Sequence, residues 1–305
     1  MSTATIRRDD LSLLEHHNVR INGINLHYVA QGQGPLLLLL HGFPEYWYSW
    51  RKQIPVLAQH FRVVAPDLRG YGGTDKPQKV QEVALATIRQ DIQELIGALG
   101  HEKALLVAHD WGAAVAWDMA IRTPQYIDQL VILNMPHPAR LQEELKKNFR
   151  QLRRSWYFFY FQLPFIPETL LRWMLPRIVR RTFRGWAYQP DAFTDADLQA
   201  YQDNMRQPGA IRSMINYYRA AFRNRKAQMQ GLTDPVTVPT RILWGENDKA
   251  LGKELTYGTE RFFEAPVDIH YFPNCSHWVA SEYPDRVNEL ILDFFRPQSD
   301  PEKNE

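Results

Sequence analysis

The sequence has a single cysteine, no long hydrophobic run and almost no excess charge of either sign. The cysteine is Cys275 among 305 residues, so an internal disulfide framework is excluded and a reducing compartment is favoured. The strongest aliphatic run, Leu36–Leu40, is far shorter than the roughly 20 residues that a membrane-spanning helix needs. Lys and Arg number 36 against 34 Asp and Glu, and the net charge of +2 gives no indication of nucleic-acid binding.

The N-terminal segment 1–15 is polar, so we expect no signal peptide there. Together with the lone cysteine and the lack of a membrane span, this predicts a cytoplasmic protein. Hydrophobic residues make up 45% of the chain and charged residues 23%, which excludes collagen-like, low-complexity and wholly disordered chains. The length permits one large domain with an insertion, or two modest domains.

Metal- and phosphate-binding patterns are absent as well. The ten histidines form no H-x-x-x-H pair and no cluster with cysteine, so no metal site is predicted. Gly70–Gly73 lacks the spacing of a phosphate-binding loop. We therefore expect no cofactor. We expect Cys275 to be a small buried residue, because no base precedes it in a thiol-protease pattern.

What the chain does contain is an alternation of short apolar segments and helical patterns, which predicts a parallel sheet with right-handed crossovers. The first two strands should form a hairpin around the turn dipeptide Asn22-Gly23. The predicted strands are Val19–Asn25, Leu26–Ala30, Leu36–Leu40, Arg62–Ala65, Ala104–Ala108, Leu130–Leu133, Arg241–Trp244 and Val267–Phe272. The predicted helices are 85–99, Val115–Ile121, a segment around Gly258–Phe263, and Arg286–Phe295.

The alternation stops between Arg140 and about Asp234, where the sequence is helical and aromatic with no convincing strand. The simplest interpretation is one α/β sheet interrupted by a helical insertion. We predict a discontinuous core domain, 1–139 and 235–305, and a helical cap domain, 140–234. Since ligands in open α/β sheets bind at the carboxyl ends of the strands, the cap would cover the site.

Candidate catalytic residues follow three predicted strands. Asp110 lies between Ala108 and Gly112, the small residues that a sharp strand-to-helix turn needs around a nucleophile. On its own, Asp110 could equally be a helix cap. Asp248 and His277 follow two later strands, and the order nucleophile, acid, histidine is that of the α/β-hydrolase triad. Three such coincidences favour catalysis over separate turn and loop roles.

Together these segments closely resemble the epoxide hydrolase branch of the α/β-hydrolase superfamily, of which haloalkane dehalogenases are near relatives. The resemblance runs from about His27 to Phe295. It implies an α/β-hydrolase fold, with a mostly parallel sheet flanked by helices and a cap inserted after the sixth strand. The segments that carry it are His41-Gly42-Phe43-Pro44-Glu45, Asp67-Leu68-Arg69-Gly70-Tyr71-Gly72, His109-Asp110-Trp111-Gly112, Trp244-Gly245-Glu246-Asn247-Asp248 and Ser276-His277-Trp278.

An aspartate nucleophile implies attack on an sp³ carbon, which leaves an alkyl ester on Asp110. His277 would activate water to hydrolyse that ester, and Asp248 would orient the imidazole. The backbone N–H groups of Phe43 and Trp111 would stabilise the developing oxyanion. The resemblance also implies a cis peptide bond before Pro44. No serine stands in a G-x-S-x-G setting, so esterase, lipase and peptidase activities are disfavoured.

The choice between epoxide and halide depends on what receives the leaving group. Resemblance to the branch selects Tyr157, four residues before a Phe-Gln pair, with Tyr160 as its competitor. It also selects Tyr218, directly before Arg219, although aromatic runs are more often packing than chemistry. Many haloalkane dehalogenases have Asn where this chain has Phe43. Epoxide hydrolysis to a vicinal diol is therefore the leading hypothesis; haloalkane dehalogenation and a non-catalytic receptor are the alternatives.

Four other polar residues in these segments have weaker assignments. Glu45 and His109 could belong to a second layer or water network around the site, or could only brace turns. Asp67 and Arg69 are expected to form a structural loop network. We expect the partners to be water and a small apolar or amphiphilic epoxide; the sequence does not indicate an oligomeric state.

The near-neutral total charge hides a strongly basic stretch. Between Lys146 and Arg184 there are ten basic residues and one acid, Glu168, a sum of +9 that leaves −7 for the rest of the chain. This stretch lies in the predicted cap and contains the aromatic run Trp156–Phe161. One interpretation is a solvated cap surface. The other is contact with anionic amphiphiles or with an anionic membrane surface.

Overall fold

The computed structural model describes residues 11, 13–224 and 230–295. Residues 1–10 of the predicted polar N-terminal segment, and the outer ends of the predicted core domain, lie outside the described residues. The strands form one eight-stranded sheet in the order β1-β2-β4-β3-β5-β6-β7-β8. They are β1 Glu15–Ile21, β2 Ile24–Gln31, β3 Leu36–Leu40, β4 Arg62–Pro66, β5 Ala104–His109, β6 Ile127–Leu133, β7 Thr240–Gly245 and β8 Val267–Phe272.

The sheet is mostly parallel, as predicted. β2 pairs antiparallel with both β1 and β4, and every other neighbouring pair is parallel. The hairpin between β1 and β2 turns at Asn22 and Gly23, whose φ angles of 41° and 76° are both positive. A two-residue turn of this type requires positive φ at both positions, and Asn-Gly meets that requirement with the least strain.

The central strands are covered on both faces. Along β3, Leu36, Leu38 and Leu40 pack into one buried cluster, and Leu37 and Leu39 pack into another on the opposite face. This explains why β3 appears in the sequence as an uninterrupted apolar run instead of an alternating one. Because β3, β5, β6 and β7 run parallel to one another, their carboxyl ends lie at a single edge of the sheet.

Helices flank the sheet and also form the cap. Between β6 and β7 the described residues form no strand. They form the helices α4 to α10 and their connections, and we call this part of the chain the cap. The α-helices are α1 Ile54–Leu57, α2 Leu85–Ala98, α3 Asp110–Arg122, α4 Pro138–Lys147, α5 Phe149–Arg154, α6 Trp156–Tyr160, α7 Ile166–Trp173, α8 Leu175–Phe183, α9 Asp195–Arg206, α10 Ala210–Arg223, α11 Val279–Glu282 and α12 Pro284–Phe295. The predicted insertion after the sixth strand is confirmed, while the domain limits 139/140 and 234/235 stay a prediction.

One predicted helix was wrong. The segment around Gly258–Phe263 forms no α-helix; single 3₁₀ turns at Lys253–Thr256 and Thr259–Phe262 occupy this region. Gly258 has φ of 69° and separates the two turns, so no α-helix can run through it. Another helix was predicted too short: α3 begins at Asp110, not at Val115. In the part of the chain that the structure describes, no helix is both long and apolar enough to span a membrane.

Candidate active site

Asp110 lies at the turn between β5 and α3 with φ of +48°, in the left-handed region that few side chains adopt. Two glycines make room for this turn. A Cβ atom on Gly42 would lie 2.4 Å from the Asp110 Cβ, and one on Gly112 would lie 2.4 Å from the Leu40 carbonyl oxygen. The neighbouring Ala108 is fully buried, and its small side chain suits the same close packing.

Asp110 does not act as a helix cap. The N-cap residue of α3 is His109, and no side chain makes a capping hydrogen bond there. Instead the Asp110 Oδ1 accepts a 2.8 Å hydrogen bond from the backbone N–H of Phe43, which follows β3. The peptide bond between Phe43 and Pro44 is cis, as the resemblance implies. The other predicted oxyanion donor is the backbone N–H of Trp111, which is the second residue of α3.

The three predicted triad residues come together at the strand ends. His277 Nδ1 lies 2.6 Å from Asp248 Oδ2, and His277 Nε2 lies 3.5 Å from Asp110 Oδ2. His277 and Asp248 are almost fully buried. The imidazole therefore lies between two carboxylates, one on each ring nitrogen.

Asn134 is a site residue that the sequence analysis missed. It directly follows β6 with φ of 42°, and its Nδ2 donates a 2.8 Å hydrogen bond to Asp248 Oδ2. Asp248 Oδ1 accepts from the backbone N–H groups of Ala250 and Leu251, at 2.7 and 2.9 Å. These donors fix the carboxylate so that Oδ2 faces the imidazole. The position of Asn134 at a strand end was the available signal.

Burial and charge act in opposite directions on the pKa values of this triad. Burial raises the pKa of the Asp110 and Asp248 carboxyls, but the charge and hydrogen bonds of His277 outweigh it and leave both pKa values below their usual range. Burial lowers the pKa of His277, but Asp248 and Asp110 outweigh it and hold that pKa well above its usual value. The two carboxylates therefore favour the charged form of the imidazole, and the imidazole favours the charged form of both carboxylates.

This arrangement predicts a pH dependence of stability. The folded-state pKa of His277 is raised above 6.5, so its contribution is fully present below that pH and is lost as pH rises through the folded value. Above pH 6.5 the unfolding free energy should fall by up to about 1.4 kcal/mol per pH unit relative to His277→Gln. Urea unfolding of both proteins from pH 6 to 9 measures the difference. Parallel curves would contradict a raised pKa of His277 in the folded protein.

Glu45 and His109 connect parts of the site behind the triad. Glu45 Oε2 lies 2.9 Å from His109 Nδ1 and accepts a 3.2 Å hydrogen bond from the Gly42 N–H. His109 Nε2 lies 3.0 Å from the His277 carbonyl oxygen. Both side chains are buried, so they brace the Gly42 turn against the His277 loop.

Asp67 and Arg69 bind other loops, as expected of a structural network. The Asp67 carboxylate accepts from the backbone N–H groups of Trp47 and Gly73, at 2.9 and 2.8 Å. Arg69 forms a bidentate ion pair with Asp91, in which Nε and Nη2 donate hydrogen bonds of 2.7 and 2.6 Å to the carboxylate. Cys275, expected to be small and buried, is fully buried.

A cavity of about 390 Å³ opens above Asp110 and extends beneath the cap. Asp110, Trp111, Tyr157 and Tyr218 all line it, and most of its other lining residues are apolar. The rings of Tyr157 and Tyr218 lie 5.8 Å apart and nearly perpendicular. Tyr160 is not among the described residues that line the cavity. Its ring packs against Trp156 instead, with the two ring centres 5.8 Å apart.

Both cavity tyrosines stay protonated at neutral pH. Burial raises the pKa of Tyr157 above its usual value, and the Asp110 charge raises it further. Burial and the Asp110 charge also raise the pKa of Tyr218. A hydrogen bond with the Trp111 side chain offsets part of this increase. Each hydroxyl can therefore donate a proton into a pocket that also holds a carboxylate. In the described ranges, no three His, Cys, Asp or Glu side chains are grouped closely enough to hold a metal ion.

Comparison with known proteins gives the same family that the motifs indicate. A family model for the alpha/beta hydrolase fold matches residues 35–282. Epoxide hydrolase 4 of Homo sapiens is 38% identical over 298 residues, which cover 95% of this chain and 81% of that protein. AB hydrolase superfamily protein YfhM of Bacillus subtilis is 40% identical over 283 residues, covering 92% of this chain and 97% of that protein.

Solved structures agree with the sequence relatives. The crystal structure of a Bacillus megaterium epoxide hydrolase in complex with an inhibitor matches with a TM-score of 0.81 at 32% identity, covering 91% of this chain and 99% of that one. Epoxide hydrolase VrEH1 from Vigna radiata matches with a TM-score of 0.83 at 26% identity, covering 93% and 98%. The chain therefore belongs to the α/β-hydrolase family and, within it, to the epoxide hydrolase branch.

Proposed function

We propose that this protein is an epoxide hydrolase that converts epoxides to vicinal diols through an alkyl ester on Asp110. The observation that carries the proposal is the placement of the Asp110 carboxylate. It has the His277–Asp248 pair on one side, at 3.5 Å, and a cavity lined by Tyr157 and Tyr218 on the other. The Asp110 carboxylate and two tyrosine hydroxyls thus line one largely apolar cavity, and His277 lies beside the carboxylate.

In the first step, Asp110 attacks a carbon of the epoxide ring. Oδ1 is held by the Phe43 N–H, which leaves Oδ2 as the attacking atom. The new Asp110 Oδ2–carbon bond forms as the ring carbon–oxygen bond breaks, and the ring oxygen takes a proton from Tyr157 or Tyr218. Because both tyrosines have raised pKa values, they hold this proton until an alkoxide develops.

Ester formation then prepares His277 for the second step. The ester is uncharged, so the imidazole loses one of the two carboxylates that raise its pKa. The pKa of His277 falls, its proton restores the tyrosine that was deprotonated during ring opening, and Nε2 becomes a base for water. Asp248 stays bound to Nδ1 and stabilises the charge that returns to the ring.

The activated water attacks the carbonyl carbon of the Asp110 ester. Negative charge grows on Oδ1, where the Phe43 N–H already donates and the Trp111 N–H is the second proposed donor. Collapse breaks the bond between Cγ and Oδ2 of Asp110, and Oδ2 leaves on the substrate carbon. The departing oxygen takes a proton from the hydroxyl that came from water, which gives the diol and restores a carboxylate with one oxygen taken from water.

Replacing His277 with Gln should separate the two steps. Without a base, the ester should form and persist, so the protein mass should rise by the mass of the epoxide. Intact-mass spectrometry after incubation with aryl, fatty-acid and small aliphatic epoxides measures the adduct, and peptide mapping locates it on Asp110. The double variant Asp110→Ala/His277→Gln is the matched control and should take up nothing.

Failure to form an adduct with every epoxide tried would contradict the proposal. An adduct that appears equally in the double variant would place the nucleophile elsewhere. Tight epoxide binding without any turnover by the unaltered protein would favour the receptor alternative. We also propose that the substrate is small and apolar or amphiphilic, since apolar side chains predominate around the cavity.

A further inference from the structure

Helices α5 and α6 present their apolar face to solvent. Phe149, Leu152, Trp156 and Phe159 are exposed by 78%, 37%, 59% and 56% of their surface. Their spacing of three, four and three residues places them along one side of a helix. We call these four residues the cap stripe. A stripe of this kind normally faces a protein core.

The opposite side of α5 and of the residue that follows it is polar and buried. Gln151 is fully buried, and its Nε2 donates a 2.9 Å hydrogen bond to the Ala250 carbonyl oxygen. Gln151 Oε1 accepts a 3.0 Å hydrogen bond from the Gly252 N–H, and buried Ser155 lies next to it along the helix. These bonds fix the helix against the loop that carries Asp248. The cap stripe therefore cannot rotate inward, and it is held facing outward.

Basic residues flank the cap stripe. Lys146, Lys147, Arg150 and Arg153 are exposed, and within the described ranges none of them has an ion-pair partner. They belong to the segment 146–184, whose charge sums to +9.

A second, concave surface of about 370 Å³ lies beside the cap stripe. Its basic lining residues are Arg150, Arg153, Arg154 and Lys249. Its acidic lining residues are Glu246, which pairs with Lys253, and Asp248 of the triad. Arg154 lies 3.7 Å from Glu254, which leaves Arg150, Arg153 and Lys249 without an ion-pair partner among the described residues. The concave surface therefore has an excess of positive charge and the size to accept an anionic headgroup.

The cap stripe is continuous with the mouth of the catalytic cavity. Leu152 and Phe159 line that cavity, together with the 54% exposed Phe222 and the exposed Lys146. An apolar molecule in contact with the stripe would thus reach the cavity without crossing water.

We propose that the cap stripe and its flanking basic residues bind an anionic lipid bilayer, with the cavity mouth facing the membrane. The aromatic and aliphatic side chains would enter the interface while Lys and Arg contact anionic headgroups. A second copy of the chain fits less well, because two surfaces of the same positive sign would repel each other. Membrane binding would add a route of substrate entry to the proposed function. The proposal rests on that function only for the assumption that the substrate enters from the membrane.

The test is flotation of the full-length protein with lipid vesicles, without substrate. One set contains phosphatidylcholine alone, and the other contains a third phosphatidylserine. Binding should require phosphatidylserine and should weaken as salt rises from 50 to 500 mM, because added ions screen the headgroup charge. Turnover of a water-soluble epoxide is measured separately, so failure of the catalytic proposal would appear there and leave the flotation result unchanged.

Two matched pairs of variants test the surface. Arg153→Glu should weaken vesicle binding roughly 25-fold, since each unit of positive charge near an anionic surface contributes about fivefold and the substitution changes the charge by two units. Arg20→Glu carries the same charge change on the exposed edge strand β1 and should have no effect. Phe149→Ser should weaken binding about tenfold by removing an inserted ring, whereas Tyr257→Ser, 55% exposed outside the cap, should not.

Each outcome decides the proposal. Salt-sensitive binding that only the two cap variants lose would support it. Absence of binding to phosphatidylserine vesicles would overturn it, as would equal weakening by Arg20→Glu and Arg153→Glu. Self-association that Phe149→Ser abolishes, with no vesicle binding, would overturn it in favour of an interface between copies.

Discussion

Replacing Asp110 with Ala should abolish epoxide turnover, with a fall in kcat of about 10⁴-fold or more. In the proposed mechanism Asp110 supplies the attacking oxygen, and no other described carboxylate faces both His277 and the cavity tyrosines. Water activated by His277 would have no ester to attack. The measurement is diol formation, followed by chromatography, at substrate concentrations that saturate the unaltered enzyme.

Asp110→Asn is the stricter form of this test. The amide keeps the volume of the side chain and an oxygen for the Phe43 N–H, so the turn should fold normally. It is a poor nucleophile, and turnover should still be lost. Both variants remove one anion from His277, so NMR titration should find the His277 pKa lower than in the unaltered protein. Diol formation that survives either substitution would exclude the ester mechanism.

Most of the sheet could be predicted because its strands obey local rules. The strands Leu36–Leu40 and Val267–Phe272 have the bounds that the sequence predicted. The Asn22-Gly23 turn was predictable since positive φ at two successive residues demands that chemistry. The convergence of Asp110, Asp248 and His277 followed from a topological rule, namely that the carboxyl ends of parallel strands meet at one edge.

The remainder depends on tertiary contacts that leave little local signal. Asn134 supports Asp248 from a different strand, 114 positions earlier in the chain. The Glu45–His109 bridge spans 64 positions and could equally have been two separate turn residues. The helix predicted near Gly258 was wrong because the backbone at that glycine is left-handed, which an α-helix does not allow. None of these outcomes follows from the periodicity of one segment.

The assignment of Tyr157 was of the same difficult kind. The run from Trp156 to Phe161 is entirely aromatic, so composition does not indicate which ring enters the cavity. The orientation of α6 determines which tyrosine ring enters the cavity. Tyr157 lines the cavity, and Tyr160 packs against Trp156. The same helix therefore offers a proposed proton donor and a control of identical chemistry, one turn apart.

Tyr157→Phe and Tyr218→Phe should each lower kcat for epoxides by roughly 100-fold, the usual cost of losing one donor to a developing oxyanion. The double variant should lose nearly all turnover, since the ring oxygen would leave as an unprotonated alkoxide. Tyr160→Phe should retain full activity. Pre-steady-state mass spectrometry should locate the defect in ester formation, because in the proposed mechanism the base for ester hydrolysis is His277 and not a tyrosine.

The substitutions also separate epoxide from halide chemistry. A halide leaves without a proton, so haloalkane turnover, if the protein has any, should not depend on these hydroxyls. Halide release that exceeds epoxide turnover in the unaltered protein, and that survives Tyr157→Phe/Tyr218→Phe, would favour the dehalogenase alternative. A large effect of Tyr160→Phe with none from Tyr157→Phe would move the donor one turn along α6. Loss of epoxide turnover confined to Tyr157 and Tyr218 would assign ring opening to the pair that shares the cavity with Asp110.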